Sequence, residues 1–174
     1  MSSIVIVGGL ILFLVLVILA LVSINNKHRK KIAMELVGRF NELGERNNLS
    51  FTYKEILGHF VIGLDELRMK LSVLRKTGNQ YDFKVIDLKE VKGFSKKKIY
   101  ESINMGTIKK ERYENHIDKI ALQFDFLDNR DPIQIPFYVS GEDHVLEMPG
   151  LEQIAGSWVA LLTKTQNLKL KSTA

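Results

Sequence analysis

FVIGLDELRMKLSVLRKTGNQYDFKVI, residues 60–86, changes the hydrophobic period of the chain from helical to alternating. Phe60-Val61-Ile62-Gly63-Leu64 is a short apolar run that stops at Asp65-Glu66. Lys70–Arg75 follows with Leu71 and Val73 on one face, and Thr77-Gly78-Asn79 signals a hairpin into Tyr81–Ile86. Apolar runs of this length broken by turn residues read as antiparallel strands, because successive side chains in a strand point to opposite faces.

Downstream, Val91–Ile103 alternates imperfectly and is expected to be a bent strand, and Met105–Asn115 is polar and reads as a loop. His116–Leu127 alternates well through Ile117, Ile120, Leu122, Phe124 and Phe126. After the turn Asn129-Arg130-Asp131-Pro132, a last strand spans Ile133–Val139, and Pro136 within it requires an edge or a bulge. The chain then returns to helical spacing. Leu151, Ile154, Ala155, Trp158, Leu161, Leu162 and Thr165 form one stripe, Pro149 suits its first turn, and Trp158 is expected to plug a core.

Upstream, Ile4–Ile24 carries no charged residue. As a helix, these residues rise about 31 Å, enough to cross a hydrocarbon core of about 30 Å. A cleaved signal peptide fits less well: Met1-Ser2-Ser3 has no basic residue, the apolar run is too long, and no Ala-x-Ala follows it. Lys27, Arg29, Lys30 and Lys31 come directly afterwards, which predicts an N-terminus outside and the remainder in the cytoplasm. Asn26–Asn48 reads as a connecting helix with Ile32, Leu36, Phe40 and Leu43 on one face, and Thr52 with Glu55 as a capping box for a single turn closing near Gly58. The expected organisation is a transmembrane anchor at 1–25, a juxtamembrane connector at 26–57 and an α+β domain at 58–174.

Six or so antiparallel strands closed by one amphipathic helix bearing a tryptophan resemble the pleckstrin-homology-like superfold. The run Tyr81–Lys92 looks like its apolar strand followed by Leu-x-x-Val, here Leu88 to Val91, as in bacterial and GRAM-type members. The resemblance covers residues 58–168 and implies a β-barrel or curved sheet capped by the C-terminal helix. It also implies a non-catalytic recognition module for lipid headgroups or protein segments, whose basic first-hairpin pocket would here involve Arg68, Lys70, Arg75 and Lys76.

Charge locates candidate contacts. Residues 89–112 hold eight basic side chains (Lys89, Lys92, Lys96, Lys97, Lys98, Lys109, Lys110, Arg112) against three acidic ones, whereas residues 113–152 hold nine acidic against Lys119 and Arg130. The basic lobe and the juxtamembrane cluster together supply the lipid- or partner-contact set: Lys27, Arg29, Lys30, Lys31, Lys92, Lys96, Lys97, Lys98, Lys109, Lys110 and Arg112.

Catalytic signatures are missing from the sequence. With no cysteine, thiolate catalysis and zinc–thiolate sites are excluded. Ser140, Asp143 and His144 stand too close together to imply a triad, and Glu142, Asp143, His144 and Glu147 lack a metal-ligand spacing. Phe94, Tyr100 and Tyr113 among the lysines are the pattern of a single-strand nucleic-acid binder, which the apolar anchor and the acidic half argue against. The expectation is a cytoplasmic-face, inner-membrane interaction module without cofactor, an accessory subunit of a membrane protein complex. The alternative is a domain whose 89–112 lobe binds anionic lipid.

Overall fold

The structure, a computed structural model, describes residues 2–58, 60–78, 80–100 and 117–172; side chains at 2–12, 20–22, 24–26, 28–29 and 169–172 are outside the description. The chain divides into two compact units, Met1–Ile86 and Asp87–Ala174. The architecture is α+β, with two antiparallel sheets and a C-terminal helix.

In the first unit, α1 (Ser2–Arg46) is one continuous helix that passes through Ser23–Asn26 without a break. Among the described residues no helix is long and apolar enough to cross a membrane. Most side chains of the predicted Ile4–Ile24 span lie outside those residues. The helix ends in a Schellman motif: Leu49 N–H donates to Gly44 C=O, Asn48 N–H donates to Glu45 C=O, and Asn48 has φ +53°. Asparagine tolerates that conformation because its short polar side chain suits left-handed backbone.

A four-stranded sheet follows in sequential order: β1 (Tyr53–Leu57), β2 (Phe60–Asp65), β3 (Lys70–Thr77) and β4 (Gln80–Asp87). The turn expected at 52–58 is instead the strand β1. Thr52 N–H joins the ladder by donating to Leu64 C=O, and Gly58 (φ +51°) turns a hairpin where a helix end was expected. Every residue of β2 is buried. Leu36, Phe40, Val61 and Leu74 form a fully buried cluster, with Ile32, Leu43, Phe51, Tyr81 and Phe83 packed around it. Phe40 stacks on Phe51 at 4.4 Å between centroids and meets Phe83 edge-on at 6.2 Å. The pair sits over Gly63, where a Cβ would come within 2.8 Å of Phe40 and 2.9 Å of Phe51, so the missing side chain makes room for both rings.

In the second unit, β5 (Val91–Tyr100), β6 (Ile117–Phe126) and β7 (Ile133–Val139) form a three-stranded sheet. The bend expected in the 91–103 strand appears as register shifts between Val91 and Gly93 and between Ile99 and Tyr100. Pro136 satisfies both of its requirements: β7 is an edge strand, and Ile120 pairs with Tyr138 while Ala121 pairs with Pro136, which leaves Phe137 as the extra residue of a bulge. The expected loop at 105–115 lies outside the described residues. Helix α2 (Met148–Ser172) packs on all three strands and buries Ala155, Trp158, Leu162 and Thr165. Its Gln166 side chain also donates to Val91 C=O at 2.8 Å.

Among the described residues the strands form a four-stranded and a three-stranded sheet, each with its own edges, and no closed barrel is found. The hydrogen-bonded order of the first sheet ends at β4 and that of the second begins at β5; the Asp87–Glu90 and Leu88–Val91 backbone bonds form a tight turn between them.

Candidate functional site

The basic lobe is only partly free. Lys96 and Lys98 alternate with Lys97 along β5, so they share one face of the strand, opposite Leu122 and Ile120 of β6. Glu152, in the first turns of α2, receives both, with Oε1 2.6 Å from Lys96 Nζ and 2.8 Å from Lys98 Nζ. Lys96 and then Lys98 hold the Glu152 carboxyl below its usual range, and Glu152 in turn raises Lys98. Lys92 and Lys97 are exposed and make no ion pair among the described residues. Lys109, Lys110 and Arg112 lie outside the description.

On α1, Lys27, Lys30 and Lys31 are exposed, and the Arg29 side chain is outside the description. At 100° per residue Lys27 and Lys31 fall on the face opposite Leu36 and Phe40, the face turned away from the sheet, and Lys30 falls on its flank.

Three of the four basic residues expected at the first hairpin, Arg68, Arg75 and Lys76, are engaged within their own unit. Arg68 pairs with the buried Asp65 at 3.2 Å, and the Arg75 guanidinium lies 5.5 Å from the Phe60 ring centre. Lys76 pairs with Glu35 at 3.4 Å, and Tyr81 donates its hydroxyl to the same carboxylate. Arg39 lies 4.2 Å from the Tyr81 ring centre. The Tyr81 hydroxyl, followed by Lys76, keeps the Glu35 carboxyl below its ordinary range, while Tyr81 and then Glu35 raise Lys76. This Glu35–Lys76–Tyr81–Arg39 cluster ties α1 to β3 and β4. The hairpin signal Thr77-Gly78-Asn79 was the cue available for it, since such a turn folds Tyr81 back toward Lys76; nothing in the sequence indicated Glu35 as their acceptor.

The polar segment before α2 has structural roles. Asp143 Oδ2 accepts from Val139 N–H at 2.8 Å, and His144 Nδ1 accepts from Leu146 N–H at 3.3 Å, capping the short 3-10 turn Val145–Glu147. Among the described residues no three His, Cys, Asp or Glu side chains converge to hold a metal ion.

Comparison with known proteins adds no name to this geometry. No protein-family model, curated protein or solved structure matches the chain.

Proposed function

We propose that this protein is a non-catalytic interaction module of the pleckstrin-homology-like type, anchored by residues 4–24 in the inner (cytoplasmic) membrane and serving as an accessory subunit of a membrane protein complex. The observation that carries the reading is the dual role of α1. The helix that contains the apolar run also buries Leu36 and Phe40 completely in the first sheet's core. An anchor built this way is continuous with the fold it tethers, with no flexible linker between them. Tethering raises the effective concentration of the sheet at the membrane, so a weak interface suffices for stable assembly. The four-plus-three strand order followed by a helix that buries Trp158 supports the pleckstrin-homology-like reading. The pairing of Lys96 and Lys98 with Glu152 favours a protein partner over lipid, because it reduces the charge that lobe can offer to headgroups.

The test is purification of the full-length protein from native membranes in mild detergent, with mass spectrometry of what accompanies it. A stoichiometric membrane protein supports the proposal. A protein carrying only lipid transfers the weight to the anionic-lipid alternative. Orientation is tested separately with Ser2→Cys: an impermeant thiol reagent should label it in intact cells, and labelling only after lysis would sink the predicted topology.

A further inference from the structure

Helix α1 and the first sheet belong to one unit, and their contacts follow one order. Glu35 meets Lys76 and Tyr81, Asn41 accepts from Lys54, Gly44 approaches Phe51, and Ser50, just past the helix, donates to Asp65. The sheet therefore lies lengthwise along the helix, with the β3–β4 hairpin at the end nearer the N-terminal segment. Lys76 and Tyr81 stand level with Glu35. The turn between Thr77 and Gln80 lies roughly 7 Å further along the strands, the rise of about four to five helical residues. That places the hairpin tip level with Lys30 and Lys31 of α1. From Ile24, the end of the apolar run, to Lys31 a helix rises about 10 Å. The other end of the sheet, the Asp65–Lys70 turn, lies past Arg46, about 33 Å from Ile24.

The near end has the surroundings and the charge of a headgroup contact. Phe13–Leu19 are seven consecutive exposed apolar side chains. At 100° per residue they cover every side of α1, a stretch that hydrocarbon on all sides satisfies. Just above it the fold gathers two basic segments. Residues 25–34 contain Lys27, Arg29, Lys30 and Lys31, residues 71–81 contain Arg75 and Lys76, and neither holds an Asp or Glu. Glu35, the first acidic residue of the chain, is already held by Lys76. Acidic residues collect farther off: Glu42 and Glu45 in the last turns of α1, Asp65 and Glu66 at the distal turn. At the tip Thr77 and Gln80 are exposed and polar, able to donate to phosphate oxygens, and the turn has no large apolar residue to insert.

We propose that the β3–β4 hairpin end of the first sheet is a membrane-contact surface, separate from the 89–112 lobe, that rests on anionic phospholipid headgroups beside Lys27, Lys30 and Lys31. The sheet then stands upright, with its distal turn in water. Headgroups extend about 5–8 Å beyond the hydrocarbon on each side. A tip about 10 Å out is within one Debye length, about 8 Å, of their phosphates. This surface depends on the anchored reading, which sets its height.

The chain has no cysteine, so single spin labels can be placed without other changes. Gln80→Cys, Leu67→Cys and Val15→Cys, all at exposed positions, are labelled in the full chain. Each is reconstituted in vesicles of phosphatidylcholine and phosphatidylglycerol that carry a nickel-chelating lipid. Dipolar relaxation falls steeply with distance, and the hairpin and the distal turn differ in height by about 20 Å, so headgroup nickel should relax the Gln80 label at least about fivefold more than the Leu67 label. Omitting phosphatidylglycerol should reduce the Gln80 effect at least about twofold, as attraction to an anionic surface requires. The Val15 label should be open to oxygen and shielded from a water-soluble nickel complex. With Val15 in hydrocarbon, equal relaxation at Gln80 and Leu67, or a Gln80 effect indifferent to phosphatidylglycerol, would overturn the proposal and leave the anchor standing. A Val15 label open to the water-soluble complex removes the anchored reading, and the hairpin contact falls with it.

Discussion

Replacing Gly63 by alanine drives a methyl group into the aromatic stack that joins α1 to the first sheet. A Cβ at that position lies 2.8 Å from Phe40 Cζ, 2.9 Å from Phe40 Cε1 and 2.9 Å from Phe51 Cδ1. Carbon atoms settle at about 3.5–4.0 Å, so both rings must move. Neither moves easily: Phe40 is fully buried between Phe51 and Phe83, and Phe51 is pressed against Gly44. Overpacking of this kind costs about 1–3 kcal/mol. Phe40→Leu alone removes ring volume and costs about 1–2 kcal/mol, between a volume-conserving swap and a truncation. In the double variant the new methyl occupies space the ring has vacated, so the combined loss should fall short of the sum by about 0.5–3 kcal/mol. Fluorescence is the wrong probe, because the only tryptophan, Trp158, belongs to the other unit. Amide hydrogen exchange of β2 and β3 in the detergent-solubilised full chain reads the affected unit directly, and Gly63→Ala should lower their protection by about five- to 150-fold. Unchanged protection, or strictly additive losses in the double variant, would refute the account of how α1 is seated.

Three further outcomes follow from the same contacts. Asp65→Asn should destabilise the first unit by about 1–3 kcal/mol, since it weakens bonds to a buried carboxylate. Burial pushes the Asp65 carboxyl up, but the N–H bonds from Ser50 and Arg68 and the Arg68 charge outweigh it, and the net shift is downward. Its contribution is therefore complete above the unfolded value of about 3.9 and is lost as pH falls through the lower folded one, so unfolding curves of wild type and variant should converge in strong acid. Glu152→Gln should cost less than about 1 kcal/mol of stability, because the pairs are partly exposed; it should strengthen salt-sensitive binding to anionic liposomes by freeing Lys96 and Lys98. Trp158→Ala, at a residue 4 % exposed, should cost about 3–5 kcal/mol, measured as lost amide protection in β5 to β7.

Periodicity carried most of the fold, and the places where it failed have physical causes. Residues 60–86 read correctly as strands because Phe60–Leu64 is an uncharged apolar run, Leu71 and Val73 and then Tyr81, Phe83 and Val85 fall at alternate positions, and turn residues at Asp65-Glu66 and Thr77-Gly78-Asn79 separate them. Strand β1 was missed because Tyr53 and Ile56 point partly to solvent, so it lacks the one-sided burial that marks a strand in sequence. Pro136 was legible as a demand for an edge or a bulge because a missing N–H has few solutions in a sheet, and the structure uses both. The separation into two sheets was not legible: whether β4 continues to β5 by hydrogen bonds depends on backbone direction at Asp87–Glu90, which composition does not encode. The candidate site was the least legible part. A lysine's role depends on which carboxylate reaches it, and Glu35 and Glu152 lie 41 and 56 residues from Lys76 and Lys96.

Those long-range pairs also decide how the charge count should be weighed. The sequence offers a block of lysines at 89–112, and taken as free charges they would make an anionic surface the natural partner. Lys96 and Lys98 instead converge on one carboxylate, leaving that trio with a single uncompensated positive charge beyond Lys97. Lys76 and Arg68 in the first unit are likewise matched to Glu35 and Asp65. Electrostatic attraction to lipid scales with uncompensated charge near the surface, and it decays within a Debye length of about 8 Å. Pairing leaves Lys92 and Lys97 as exposed lysines of β5 without an ion pair among the described residues, while Lys27, Lys30 and Lys31 are exposed on α1 directly after the apolar run. On the anchored reading proposed above, those α1 lysines would set the position of the helix at the headgroups.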